Sequence, residues 1–106
     1  MFDVLEISLQ TITALREPLA VIRAADADLY RQIRRAGSSI PLNIAEGTRR
    51  VGKDRKHLWR VASGSAAEVR VALRTALAWG DVTDAQTNHS LALLDRVSAM
   101  LWKLTR

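Results

Sequence analysis

The chain has 106 residues, 48% of them apolar and 25% charged, with no cysteine and a net charge of +5. That length fits one domain over residues 1–106, and the composition excludes a disordered chain, a disulfide scaffold and a thiolate metal site. No stretch approaches the roughly 18 uninterrupted apolar residues of a membrane span, and the N-terminal Met1-Phe2-Asp3-Val4-Leu5-Glu6 carries acids where an export signal carries bases, so a soluble, cytoplasmic protein without a membrane partner is expected.

The first predicted helix spans about Val4 to Arg23, with Leu5, Leu9, Ile12, Leu15, Leu19 and Ile22 along one side. Pro18 has no N–H to donate, so a kink or a break is expected between Ala14 and Pro18. Asp26 has the chemistry of an N-cap, and Asp28 suits the first turn of a second helix. The seam of that helix is Leu29, Ile33, Ala36, Ile40, Ile44 and Gly47, in helical steps of 4, 3, 4, 4 and 3. Pro41 lies inside the seam without shifting its phase, which predicts one continuous helix kinked at Pro41. Gly52 is expected to close the turn that follows.

A third helix is predicted from about Asp54 to Trp79, with the seam Leu58, Ala62, Ser65, Val69, Ala72, Ala76 and Trp79. A second stripe, Trp59, Ala66 and Leu73, repeats every seven residues. Two stripes predict burial on two sides, one within the bundle and one against another subunit. Gly80 ends this helix. Thr83-Asp84-Ala85-Gln86 reads as a capping box and opens a fourth, whose seam is Leu91, Leu94, Val97, Leu101 and Leu104. No strand-like alternation interrupts the series. Four helices joined by short connections predict an all-α, antiparallel, up-down-up-down four-helix bundle.

The charge is concentrated. Arg31, Arg34, Arg35, Arg49, Arg50, Lys53, Arg55, Lys56 and Arg60 face only Glu46 and Asp54 within their segment, which gives it +7 and leaves the rest of the chain at −2. Such asymmetry favours a polyanion, and seven of the nine bases are arginines, whose forked guanidinium suits phosphate. The competing reading is a solvated helix face.

Ser39, Asn43, Glu46 and Arg50 recur in steps of 4, 3 and 4 beside the apolar seam, and Gly64 and Ser65 precede Glu68 on the third helix. These residues suggest a partly buried polar network. In it Asn43 or Ser39 would meet Ser65, and Glu68 would meet Arg34 or Arg35, setting register more than adding stability. The alternative is simple solvent exposure of the same residues.

No enzyme constellation emerges. His57 and His89 stand outside any metal-ligand spacing and read as surface residues. Glu46 and Glu68 lack the Glu-x-x-His context of di-metal bundles, so neither a metal, a cofactor nor catalysis is expected. Trp59, Trp79 and Trp102 occupy apolar helical positions, which assigns them to the core or a subunit interface rather than to base stacking.

Three segments carry a resemblance: Gln32-Ile33-Arg34-Arg35-Ala36, the nine residues Ser39-Ile40-Pro41-Leu42-Asn43-Ile44-Ala45-Glu46-Gly47, and Ala62-Ser63-Gly64-Ser65-Ala66-Ala67-Glu68. They resemble the bacterial four-helix-bundle proteins of the 23S rRNA intervening-sequence type, a family related to the accessory variability protein of diversity-generating retroelements. The resemblance implies an antiparallel bundle that assembles as a homopentameric ring. It also implies a non-enzymatic role, since the retroelement relatives bind a reverse transcriptase and nucleic acid through a basic surface. The expectation is an oligomeric accessory protein that binds RNA or DNA through the nine basic residues. Its alternative is a scaffold that docks a protein partner, such as a reverse transcriptase, without touching nucleic acid.

Overall fold

A computed structural model describes residues 2–106, with the Phe2 side chain outside the described set. Four helices follow in order: α1 (Phe2–Ala25), α2 (Ala27–Thr48), α3 (Gly52–Trp79) and α4 (Asp84–Thr105). Each packs against two others, α1 on α2 and α4, and α3 on α2 and α4, with α2 and α3 in the most extensive contact. The connections are a few residues long, so successive helices run antiparallel around a square. The bundle measures 42 × 22 × 19 Å.

The helix ends follow local chemistry. Asp26 caps α2, its carboxylate accepting the Leu29 N–H at 3.0 Å. Gly80 closes α3 at φ 81°, a left-handed conformation that glycine adopts without steric cost. Thr83 and Gln86 form the reciprocal capping box at the start of α4. One expectation fails here. Gly52, at φ 59°, does not close the α2–α3 turn but opens α3, and α2 already ends at Arg49 with an ordinary helical cap.

Both prolines lie inside unbroken helices, so the break considered near Pro18 does not occur and α2 continues through Pro41. The buried side of α1 differs from the expected seam. It passes through Val4, Ser8, Thr11, Leu15, Pro18 and Ile22, while Leu9 is exposed and Leu5, Ile12 and Leu19 sit at the flank. Ser8 and Thr11 are tolerated inside because their hydroxyls donate to the Leu5 and Ile7 carbonyls, each at 2.7 Å. Back-bonding of this kind leaves only a methylene or methyl to the core.

The second stripe of α3 also differs. Trp59, Ala66 and Leu73 are buried within the chain, alongside Ala62, Val69, Ala72 and Ala76. Packed between α2 and α4, α3 buries the whole second stripe and the middle of the first against its own bundle, so the seven-residue periodicity needs no second subunit. Trp79 and Trp102 have the opposite fate, at 76% and 64% exposure within the chain. Trp79 is the last residue of α3, at the bundle's end, and Trp102 lies on the outer side of α4 beside the buried Leu101.

Candidate nucleic-acid interface

Helix geometry divides the basic segment into two groups. Arg31, Arg34 and Arg35 lie in the first half of α2, whereas Arg49, Arg50, Lys53, Arg55, Lys56 and Arg60 surround its far end and the start of α3. From Arg34 to Arg49 the helix rises about 22 Å. Arg49 continues the exposed side of α2 that carries Arg31 and Arg35, with Leu42 and Ala45 exposed between them.

Intramolecular bonds sort the nine further. Arg31 pairs with Asp28, and Arg50 with Glu46 at 2.9 Å, both as exposed neighbours within one helix. Such pairs contribute little and separate readily. Arg55 joins two helices. Its guanidinium donates to the Gly47 and Thr48 carbonyls at 3.3 and 3.1 Å and lies over the Trp59 ring at 5.5 Å. It thereby adds a side-chain donor to the last turn of α2, where the Gly47 carbonyl also accepts the Arg50 N–H at 3.0 Å. Arg60 donates to the Thr105 carbonyl at 2.8 Å and joins α3 to the end of α4. Arg34, Arg35, Arg49, Lys53 and Lys56 are exposed and form no ion pair among the described residues.

The Arg60–Thr105 bond brings two further cations to the same end. Lys103 and Arg106 flank Thr105 and are both exposed. Sequence reading misses them because a charge run registers only chain neighbours, and the contact that brings their end of α4 to α3, Arg60 to Thr105, spans 45 residues. The antiparallel pairing of α3 with α4 was the available signal.

The polar residues separate into linked and unlinked members. Ser65 donates to Ser39 Oγ at 2.9 Å, bridging α3 and α2. Asn43 Nδ2 donates to both the Ser39 hydroxyl and its carbonyl at 2.9 Å. Glu46 points instead to Arg50. Glu68 is exposed and bonds neither Arg34 nor Arg35, because it faces outward on α3 while Ser65 and Val69 face α2 and the core. His57 and His89 are exposed, and no cluster of potential metal ligands occurs among the described residues. No described helix is long and apolar enough to cross a membrane.

A family model described as 23S rRNA-intervening sequence protein matches residues 6–103. Among solved structures, a protein of unknown function from the S23 ribosomal protein family of Bacteroides thetaiotaomicron is similar at a TM-score of 0.84 and 18% identity. The similarity covers 97% of this chain and 98% of that one, and at this identity it speaks for the fold alone. Comparison with curated proteins found no match.

Proposed function

The chain belongs to the 23S rRNA-intervening sequence protein family, and from that premise we propose that it is a non-enzymatic accessory protein binding RNA or DNA through its basic surface. The observation that carries this reading is the gathering of Arg49, Arg50, Lys53 and Lys56 with Lys103 and Arg106 at one end of the bundle, where only Arg50 is ion-paired among the described residues. Arg31, Arg34 and Arg35 extend the surface along α2. The reach of about 22 Å matches on the order of six phosphates of one strand. Contacts of this kind position a nucleic acid without reading its sequence. Fluorescence anisotropy of a labelled structured RNA and a matched duplex DNA, titrated across a salt series, tests it. Binding retained near 0.15 M salt with a steep negative salt slope supports the reading, and binding lost by about that concentration removes it.

A second reading has its own observation. Val61, Val71 and Trp79 are exposed on α3, and Trp102 on α4. Exposed apolar side chains in that number suit self-association, with a ring as its form, or docking of a protein partner such as a reverse transcriptase. Light scattering of the intact protein and of Trp79→Ser checks self-association: a smaller particle for the variant is the expected result.

A further inference from the structure

We propose that the furrow between α1 and α2 binds a small amphipathic anion: an apolar body bearing one carboxylate or phosphate. The cavity measures about 340 Å³, within the roughly 300–1,000 Å³ of ligand pockets. It follows α1 from Ile12 to Arg23, a length of about 16 Å. Ile12, Leu15 and Leu19 of α1 and Ile33 of α2 supply its apolar wall. Arg16 and Arg23 of α1 and Arg34 of α2 supply its charge, and no Asp or Glu lines it.

None of these three arginines is ion-paired among the described residues. The Arg23 guanidinium lies over the Tyr30 ring, 5.3 Å from its centroid, which holds one cation at the mouth. The lining thus carries three arginines and no carboxylate among the described residues, which favours an anionic head there while the apolar body of the ligand leaves water.

Gly37 provides a second, independent observation. It is buried in the middle of α2 and lines the furrow. Its φ is not positive, and an added Cβ would meet only Leu15 Cδ1, at an ordinary 3.8 Å. Neither backbone nor packing therefore requires glycine, which disfavours a helix relative to alanine. Its bare backbone leaves open, along the furrow, the space that an alanine methyl would fill. The site lies away from the basic α2–α3 end and shares only Arg34 with the basic residues along α2.

Isothermal titration calorimetry of the full chain with decanoate, and with uncharged decanol, tests the proposal. Saturable binding of one decanoate per chain is expected, with decanol at least about tenfold weaker. Arg16→Gln and Arg34→Gln should each weaken decanoate about fivefold and leave decanol unchanged. Gly37→Ala should weaken both probes while raising the melting temperature by about 4 °C, so that its loss of binding is not a loss of fold. Decyl phosphate identifies the preferred head by binding tighter or weaker than decanoate. Equal affinity for decanoate and decanol, unsaturable uptake, or indifference to all three substitutions overturns the proposal. Absence of decanoate binding overturns it too, and leaves an acidic helical segment of a partner as the alternative occupant.

Discussion

Gly47 lies against the face of Trp59 so closely that a Cβ at position 47 would sit 2.6 Å from the indole Cδ1 and Nε1. The same indole donates to the Ile44 carbonyl at 3.1 Å and carries Arg55 over its ring. Arg55 in turn caps the Gly47 and Thr48 carbonyls. Three residues thus hold the end of α2 against the start of α3. Gly47→Ala should cost about 1–3 kcal/mol by overpacking, measured by urea unfolding. In a Trp59→Phe background the smaller ring should shrink that penalty, and additive effects in the double-mutant cycle would refute the contact.

Among the described residues, the Ser39–Ser65 hydrogen bond is the one side-chain-to-side-chain link between α2 and α3. Ser65→Ala should lose about 1 kcal/mol of stability. Glu68→Gln, one helical turn away but exposed and unpaired among the described residues, should stay within about 0.5 kcal/mol of the parent. Thermal melts of the two variants check the contrast, and a larger loss for Glu68→Gln would mean that the carboxylate has a partner outside this chain.

Ser90 is 1% exposed, and its hydroxyl is the one buried side-chain polar atom without a hydrogen bond among the described residues. A buried unsatisfied group is a net cost, so Ser90→Ala should stabilise the bundle by about 1 kcal/mol. An upward shift in the denaturant midpoint with an unchanged slope is the expected signature.

The two groups of bases should behave differently toward nucleic acid. Replacing Arg49, Lys53 and Lys56 together by Gln should flatten the salt slope on duplex DNA by about 0.9 for each phosphate no longer neutralised, or up to about 2.7 in all. Arg34→Gln with Arg35→Gln should flatten it less, since those residues lie about 22 Å from the denser end. Equal effects would locate the nucleic acid along the whole face of α2.

Helix number, order and most ends were legible because they depend on neighbours in the chain. Asp26, Gly80 and the Thr83–Gln86 box act within one turn, so their residue types suffice to place them. The seam of α2 and the Leu94-Val97-Leu101 centre of the α4 seam were legible for the same reason: branched apolar side chains at helical spacing have one face to bury. The seam of α1 was less so, because Ser8 and Thr11 look polar in sequence and become core residues only by bonding their own helix's carbonyls. The nine bases were visible as a run, but their roles were not. Arg55 and Arg60 resemble Lys53 and Lys56 until the carbonyls of Gly47, Thr48 and Thr105 come within reach.

By itself the sequence determined that this chain makes four helices, where most of them start and stop, and that its middle third is strongly basic. Periodicity, capping and charge are local properties, and each holds whatever the helices later touch. Only the tertiary structure decided that the Trp59-Ala66-Leu73 stripe of α3 is buried within one bundle, that Trp79 and Trp102 are exposed, and that Lys103 and Arg106 lie at the end of the bundle that holds the α2–α3 turn. It alone created the furrow that Arg16, Arg23 and Arg34 line. Those relations depend on how antiparallel helices are rotated and offset against one another, and that is set by the packing of side chains far apart in the chain.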